Sequence, residues 1–114
     1  MEHSSHYHFN QTAVIPFEDM AGWISEIFQA AGLTKEESGL VADSLVDADA
    51  RGVYSHGAQR VKMYTKRILE DCINLRGTPR VIKDNDAVAV VDGDNAMGQT
   101  VGVFAMELAI EKAR

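Results

Sequence analysis

The side chains with the greatest capacity for chemistry crowd one short stretch, Ala48 to Arg60, which reads ADARGVYSHGAQR. Ser55, His56 and Gly57 stand together there, and Arg60 follows. On one continuous helix His56 and Arg60, four residues apart, share a face. Arginine stays charged, and its planar fork matches a carboxylate. Histidine titrates near neutral pH and can donate to a carbonyl or alcohol oxygen. The pair could therefore hold a small 2-oxo or 2-hydroxy acid at the start of a helix, where the backbone itself favours an anion. Gly57 would leave room for a ligand close to the main chain. The same spacing also suits a half-buried histidine at a helix start, a surface arginine and two turn glycines, Gly52 and Gly57. Asp49 and Arg51 likewise have two readings. They are either an exposed ion pair worth little or a brace for the loop that carries His56, and bracing is the preferred reading.

Other constellations carry less. His3, His6 and His8 lie in a polar start, Met1 to Thr12, with no helical or strand period. It reads as a disordered arm able at most to bind a metal adventitiously. Asp92-Gly93-Asp94-Asn95 superficially resembles the opening of a calcium loop. Its glycine comes too early and it follows a strand pattern, so it is read as a turn. Gly93, Gly98 and Gly102 do not make the G-x-G-x-x-G phosphate fingerprint, and no Gly-x-Ser-x-Gly elbow occurs. Cys72 is the only cysteine. It can build neither a disulfide framework nor a cysteine-rich zinc site, and it is expected to be an inert, partly buried thiol in a reducing compartment.

The elements that would position these residues follow from periodicity. Pro16 precedes a helix whose apolar face is Met20, Trp23, Ile24, Ile27, Phe28 and Ala31, stopped by Gly32. Thr34 and Glu37 form a capping box that opens a second helix, with Leu40, Val41, Leu45 and Ala48 on one side. Gly52 breaks that pattern. A third helix is expected from near Ser55 to Gly57, with Ser55 as its N-cap and Val61, Tyr64, Ile68 and Leu69 inward. After a turn-rich stretch with Gly77 and Pro79, Val81-Ile82 and Ala87 to Val91 read as two strands or a hairpin, the second strand buried. Gly98 to Arg114 returns to helix, with Val101, Phe104, Ala105, Leu108 and Ala109 on one face.

The totals bound the class. The chain has 114 residues, 46% hydrophobic and 25% charged, with a net charge of −6 and no basic block. That argues against nucleic acid or an anionic membrane as a main partner. No apolar run approaches a membrane span and the start lacks a signal-peptide core, so a cytoplasmic protein is expected.

The ordered set ADARGVYSHGAQR, Tyr64, Ile68, Ile73-Asn74, Pro79, VVDGDNAMGQ and AMELAIEKAR resembles the malate/L-lactate dehydrogenase family. That family includes sulfolactate, ureidoglycolate and related NAD(P)-dependent dehydrogenases, and the similarity runs from about Phe17 to Arg114. The resemblance implies an α/β, non-Rossmann fold with an N-terminal helical region and a mixed central sheet. The chain would then comprise an arm, residues 1–12, and the N-terminal segment of that domain, residues 13–114, α+β when taken alone. It further implies hydride transfer between NAD or NADP and the 2-carbon of a small 2-hydroxy or 2-oxo acid, by a dimer or higher homo-oligomer, with no catalytic metal. Carried over by motif, Ser55 and His56 face the nicotinamide, and His56 and Arg60 face the substrate. Asp92 to Gln99 is a structural turn feeding a helix. Members of the family are roughly three times this length, beyond one small domain. Their general acid/base histidine falls in a Gly-His motif that would lie past Arg114, so this chain is expected to be a truncated segment with little turnover of its own. The alternative is a non-catalytic helical interaction module derived from the same family.

Overall fold

The structure is a computed structural model and describes residues 13–114. The arm Met1 to Thr12 and its three histidines lie outside the described residues. Four helices and a two-stranded antiparallel sheet follow in the order α1 (Phe17–Ala31), α2 (Lys35–Ala50), two 3-10 turns (Tyr54–His56 and Ala58–Arg60), α3 (Val61–Leu69), β1 (Arg80–Asp84), β2 (Ala89–Asp92) and α4 (Gly98–Lys112).

Helix α1 begins directly after Pro16 and closes at Gly32, whose φ is 120°. The capping box is present: the Glu37 amide donates to Thr34 Oγ1 at 3.2 Å, and the Thr34 amide donates to Glu37 Oε2 at 3.3 Å. The short Gly32–Thr34 link folds α2 back on α1, and this pair makes the most extensive packing in the chain. Phe28, Val41 and Leu45 are sealed between them, joined by Ile24, Val46, Ile68 of α3 and Met97 at the start of α4. Ser38 is also fully buried, and its hydroxyl is satisfied by the Thr34 carbonyl at 2.7 Å.

The expected inward face of α1 is too wide. Trp23 is 55% and Ile27 44% exposed, because α2 covers the Ala21–Ile24–Phe28 stripe instead. Leu40 and Ala48 of α2 are only half-buried, while Ala42 and Val46 take core places. The two strands do form a hairpin, with Arg80 opposite Asp92 and Asp84 opposite Ala89 and an irregularity between Val81 and Lys83. The second strand is not buried as expected. β1 is exposed throughout, and in β2 Val90 is exposed and its neighbours half-buried. Alternating or continuous β-branched residues report strand tendency, while burial needs a covering layer. On α4 the expected face is half-covered at best: no residue of that helix is fully buried. Cys72 is exposed, against the expectation of a partly buried thiol.

The Asp92–Asn95 turn is structural in form. Asp94 and Asn95 both take the left-handed conformation, which these short polar residues tolerate. The turn is stitched to the Cys72–Thr78 loop, Asn74 donating through its amide to the Asn95 carbonyl at 2.8 Å and Asn95 Nδ2 donating to the Cys72 carbonyl at 3.0 Å. The carboxylates here are engaged internally. Asp94 Oδ2 accepts from the Thr78 amide, and Asp92 accepts from Arg80 Nη2 at 2.9 Å and from the Asp94 amide at 2.9 Å. The Asp94 amide first, and the Arg80 hydrogen bond second, hold the Asp92 carboxyl below the usual carboxylate range.

Candidate functional site

The Ser55–Arg60 segment is delivered by the end of α2. Gly52, at φ 77°, follows the helix cap. Its amide donates to the Asp49 carbonyl at 2.9 Å, and the Val53 amide donates to the Ala48 carbonyl at 2.8 Å. These two bonds are the pattern by which a left-handed glycine closes a helix. The chain then runs through two short 3-10 turns before α3 starts at Val61. The expected helix start near Ser55 to Gly57 is therefore displaced, and Ser55 caps nothing. The first N–H of the helical run from Ala58 onward is taken instead by the Asp49 side chain, whose Oδ2 accepts from the Ala58 amide at 2.8 Å.

This contact settles the local roles of three residues. Asp49 braces the loop, as preferred from sequence. It does not pair with Arg51, which bonds Asp47 at 2.7 Å on an exposed face. The Asp47 hydrogen bond, with its charge second, raises the Arg51 pKa above the ordinary guanidinium value. Gly57 is buried, and the space beside it holds the Asp49 carboxylate rather than a ligand. A Cβ at this position would overlap that carboxylate, with Oδ2 at 2.6 Å and Oδ1 and Cγ nearer still.

His56 and Arg60 do not share one helix face; each is tied separately to Ser55. Ser55 Oγ lies 2.9 Å from His56 Nδ1, which leaves the other ring nitrogen to solvent. Arg60 Nε donates to the Ser55 carbonyl at 2.6 Å, and its Nη1 approaches Met63 Sδ at 3.9 Å. Gln59 Nε2 closes the segment by donating to the Tyr54 carbonyl. Ser55, His56 and Arg60 thus form one compact corner, with His56 exposed and Arg60 half-buried. With one hydrogen bond shared between them, Ser55 and His56 offer outward one donor and one acceptor, a pair that fits the carbonyl and amino groups of a nicotinamide carboxamide. They do not make a cradle for a whole dinucleotide. A broad groove between the hairpin and α4 lies elsewhere. It is lined mainly by apolar residues such as Val88, Val91 and Leu108, with Lys112 at its edge. Among the described residues no three His, Cys, Asp or Glu side chains cluster as metal ligands would.

Sequence reasoning did not supply the exact partner of Asp49. A carboxylate capping an amide nine residues ahead follows no local spacing rule. Its one signal is a glycine at position 57 that no turn requires.

Residues 15–114 match the family described as malate/L-lactate dehydrogenase. The chain belongs to the malate/L-lactate dehydrogenase family. Malate dehydrogenase of Pyrococcus abyssi is 42% identical over 100 residues, 88% of this chain and 28% of that protein. L-sulfolactate dehydrogenase of Methanocaldococcus jannaschii is 40% identical over 91 residues, 80% of this chain and 26% of that protein. The solved structure of malate dehydrogenase from Pyrococcus horikoshii superposes with a TM-score of 0.85 at 40% identity, covering 89% of this chain and 29% of that one. The fold is thus that of part of these α/β dehydrogenases, and the match lies in their N-terminal part. The chain spans little more than a quarter of the length of these relatives. No helix among the described residues is long and apolar enough to cross a membrane.

Proposed function

We propose that the chain supplies the N-terminal, substrate-facing part of an oxidoreductase. The enzyme would move a hydride between NAD or NADP and the 2-carbon of a small 2-hydroxy or 2-oxo acid of the malate, lactate or sulfolactate type. The observation that carries this reading is the match of residues 15–114 to a dehydrogenase family, a span that takes in the Ser55–Arg60 corner. NAD(P), when bound, supplies the hydride acceptor or donor. The chain's own residues bind and orient. Arg60 spends its Nε on the Ser55 carbonyl, which pins the guanidinium; Nη2, with Nη1 once it gives up its long contact to Met63 Sδ, is left to take a carboxylate. His56, held at Nδ1 by Ser55, presents its other ring nitrogen to the 2-oxygen or to the nicotinamide carboxamide. Proximity and preorganised charge carry most of such a reaction. An exposed His56 supplies little of either, so the chain alone is expected to turn over little. A reducing cytoplasm, consistent with the exposed Cys72 thiol, and a homo-oligomeric state belong to the same reading.

The test is titration of the isotope-labelled chain with oxalate, followed by NMR. Shifts at His56 and Arg60 that vanish in Arg60→Ala support the reading; shifts elsewhere, or none, refute it. A second reading, a non-catalytic association module, draws on the exposed Val81, Ile82, Val88 and Val90 of the hairpin and Met106 and Ile110 of α4. Sedimentation showing a stable oligomer that binds neither oxalate nor NADH favours it.

A further inference from the structure

The last turn of α2 holds the chain on both sides of Ser55 and His56. Its backbone carbonyls at Ala48 and Asp49 hold Gly52 and Val53 on the near side. The Asp49 carboxylate holds Ala58 on the far side and packs against Gly57 so closely that no side chain fits there. His56 immediately precedes this clamped pair and Arg60 follows it by two residues. A helix start offers its first N–H groups to an anion; here Asp49 is that anion. The geometry points to Asp49 as the positioning residue of the corner. Its fixed carboxylate occupies the start of the Ala58 helical run and so leaves the Arg60 guanidinium, rather than backbone amides, to receive the carboxylate of a small 2-oxo or 2-hydroxy acid. This rests on the reading of His56 and Arg60 given above, and small misplacements of such groups are costly.

The experiment combines amide hydrogen exchange with oxalate titration on the whole chain and its Asp49→Ala, Asp49→Asn and Gly57→Ala variants. In Asp49→Ala the Ala58 amide is expected to exchange about tenfold faster or more, as loss of a hydrogen bond to a charged group dictates. The Ser55–Arg60 resonances should move, while the Phe28 and Val41 amides should lose no more protection than the global destabilisation measured in urea accounts for. Oxalate affinity should fall about tenfold in Asp49→Ala and in Gly57→Ala, since each releases the same bond. Asp49→Asn, whose side-chain oxygen still accepts, should restore most of both. Unchanged Ala58 exchange in Asp49→Ala overturns the inference. So does faster exchange with unchanged oxalate affinity, because the carboxylate would then be only a cap. Absence of oxalate binding by the unaltered chain refutes instead the underlying reading of the corner, on which the exchange result does not depend.

Discussion

Replacing Gly57 with alanine asks the chain to place a methyl group where the Asp49 carboxylate sits. Gly57 has φ −94° and ψ −152°, extended backbone open to any residue, so the cost is steric and not conformational. The carboxylate must swing away, and the Ala58 N–H···Oδ2 bond of 2.8 Å is lost. A hydrogen bond to a charged group contributes about 1.5–3 kcal/mol. Ala58 is only half-buried, so water can partly replace the lost acceptor, and a cost near the lower end, about 1.5–2 kcal/mol, is expected. Asp49→Ala removes the same bond and should cost about 1–2 kcal/mol, as loss of a capping side chain does. The two changes should not add. Once Asp49 is alanine, the atoms that would clash with a residue-57 Cβ are gone, and the double variant should cost scarcely more than Asp49→Ala alone. The coupling energy is then nearly the whole Gly57→Ala cost, about 1.5–2 kcal/mol, well above the few tenths seen between independent sites. Urea unfolding of the four proteins, compared at a common slope, measures it. Additive costs, or a Gly57→Ala variant within about 0.5 kcal/mol of the parent as neutral surface changes are, would refute the coupling of Gly57 to the Asp49–Ala58 bond.

Three further outcomes follow from the fold. Thr34→Ala removes one half of the capping box and should lower stability by about 0.5–2 kcal/mol in the same urea assay. Phe28→Ala empties a site with no exposure and should cost about 3–5 kcal/mol; Trp23→Ala, on the open side of α1, should cost far less despite the larger side chain. Folding depresses the Asp92 pKa, so its contribution is present above the ordinary aspartate value of about 4. It is lost as pH falls through the lower folded value. The acid limb of a stability–pH curve should therefore be shallower in Asp92→Asn, and an unchanged limb would contradict the assignment.

Much of the helical frame was legible because its signals are local. Pro16, Gly32 and the Thr34–Glu37 box mark boundaries through bonds made within a turn, and each stands where the pattern put it. The hairpin and its Asp92–Asn95 turn were legible for the same reason. Burial was less so. Trp23 and Ile27 fit a helical period as well as Ile24 and Phe28 do, but only the position of α2 decides which stripe is covered. Val88 and Val90 carry strand character without a layer over them. The corner itself was half legible. Its residue types pointed to Ser55, His56 and Arg60 as a group, but the geometry that joins them runs through Ser55 and two 3-10 turns rather than one helical face. A side chain nine residues back, with no periodic reason to be there, takes the Ala58 amide between them.

The most direct test of the account exchanges this chain for the matching segment of Pyrococcus horikoshii malate dehydrogenase, to which it is similar in fold. NADH- and NADPH-coupled reduction of oxaloacetate is then measured. The chimera should turn over. His56→Ala and Arg60→Ala within it should each lower kcat/KM by about a hundredfold, the scale expected when a substrate-orienting group is lost, and Arg60→Ala should act mainly by raising KM for the oxo acid. Parent-like kinetics in both variants of an active chimera would contradict the assignment of this corner to the substrate.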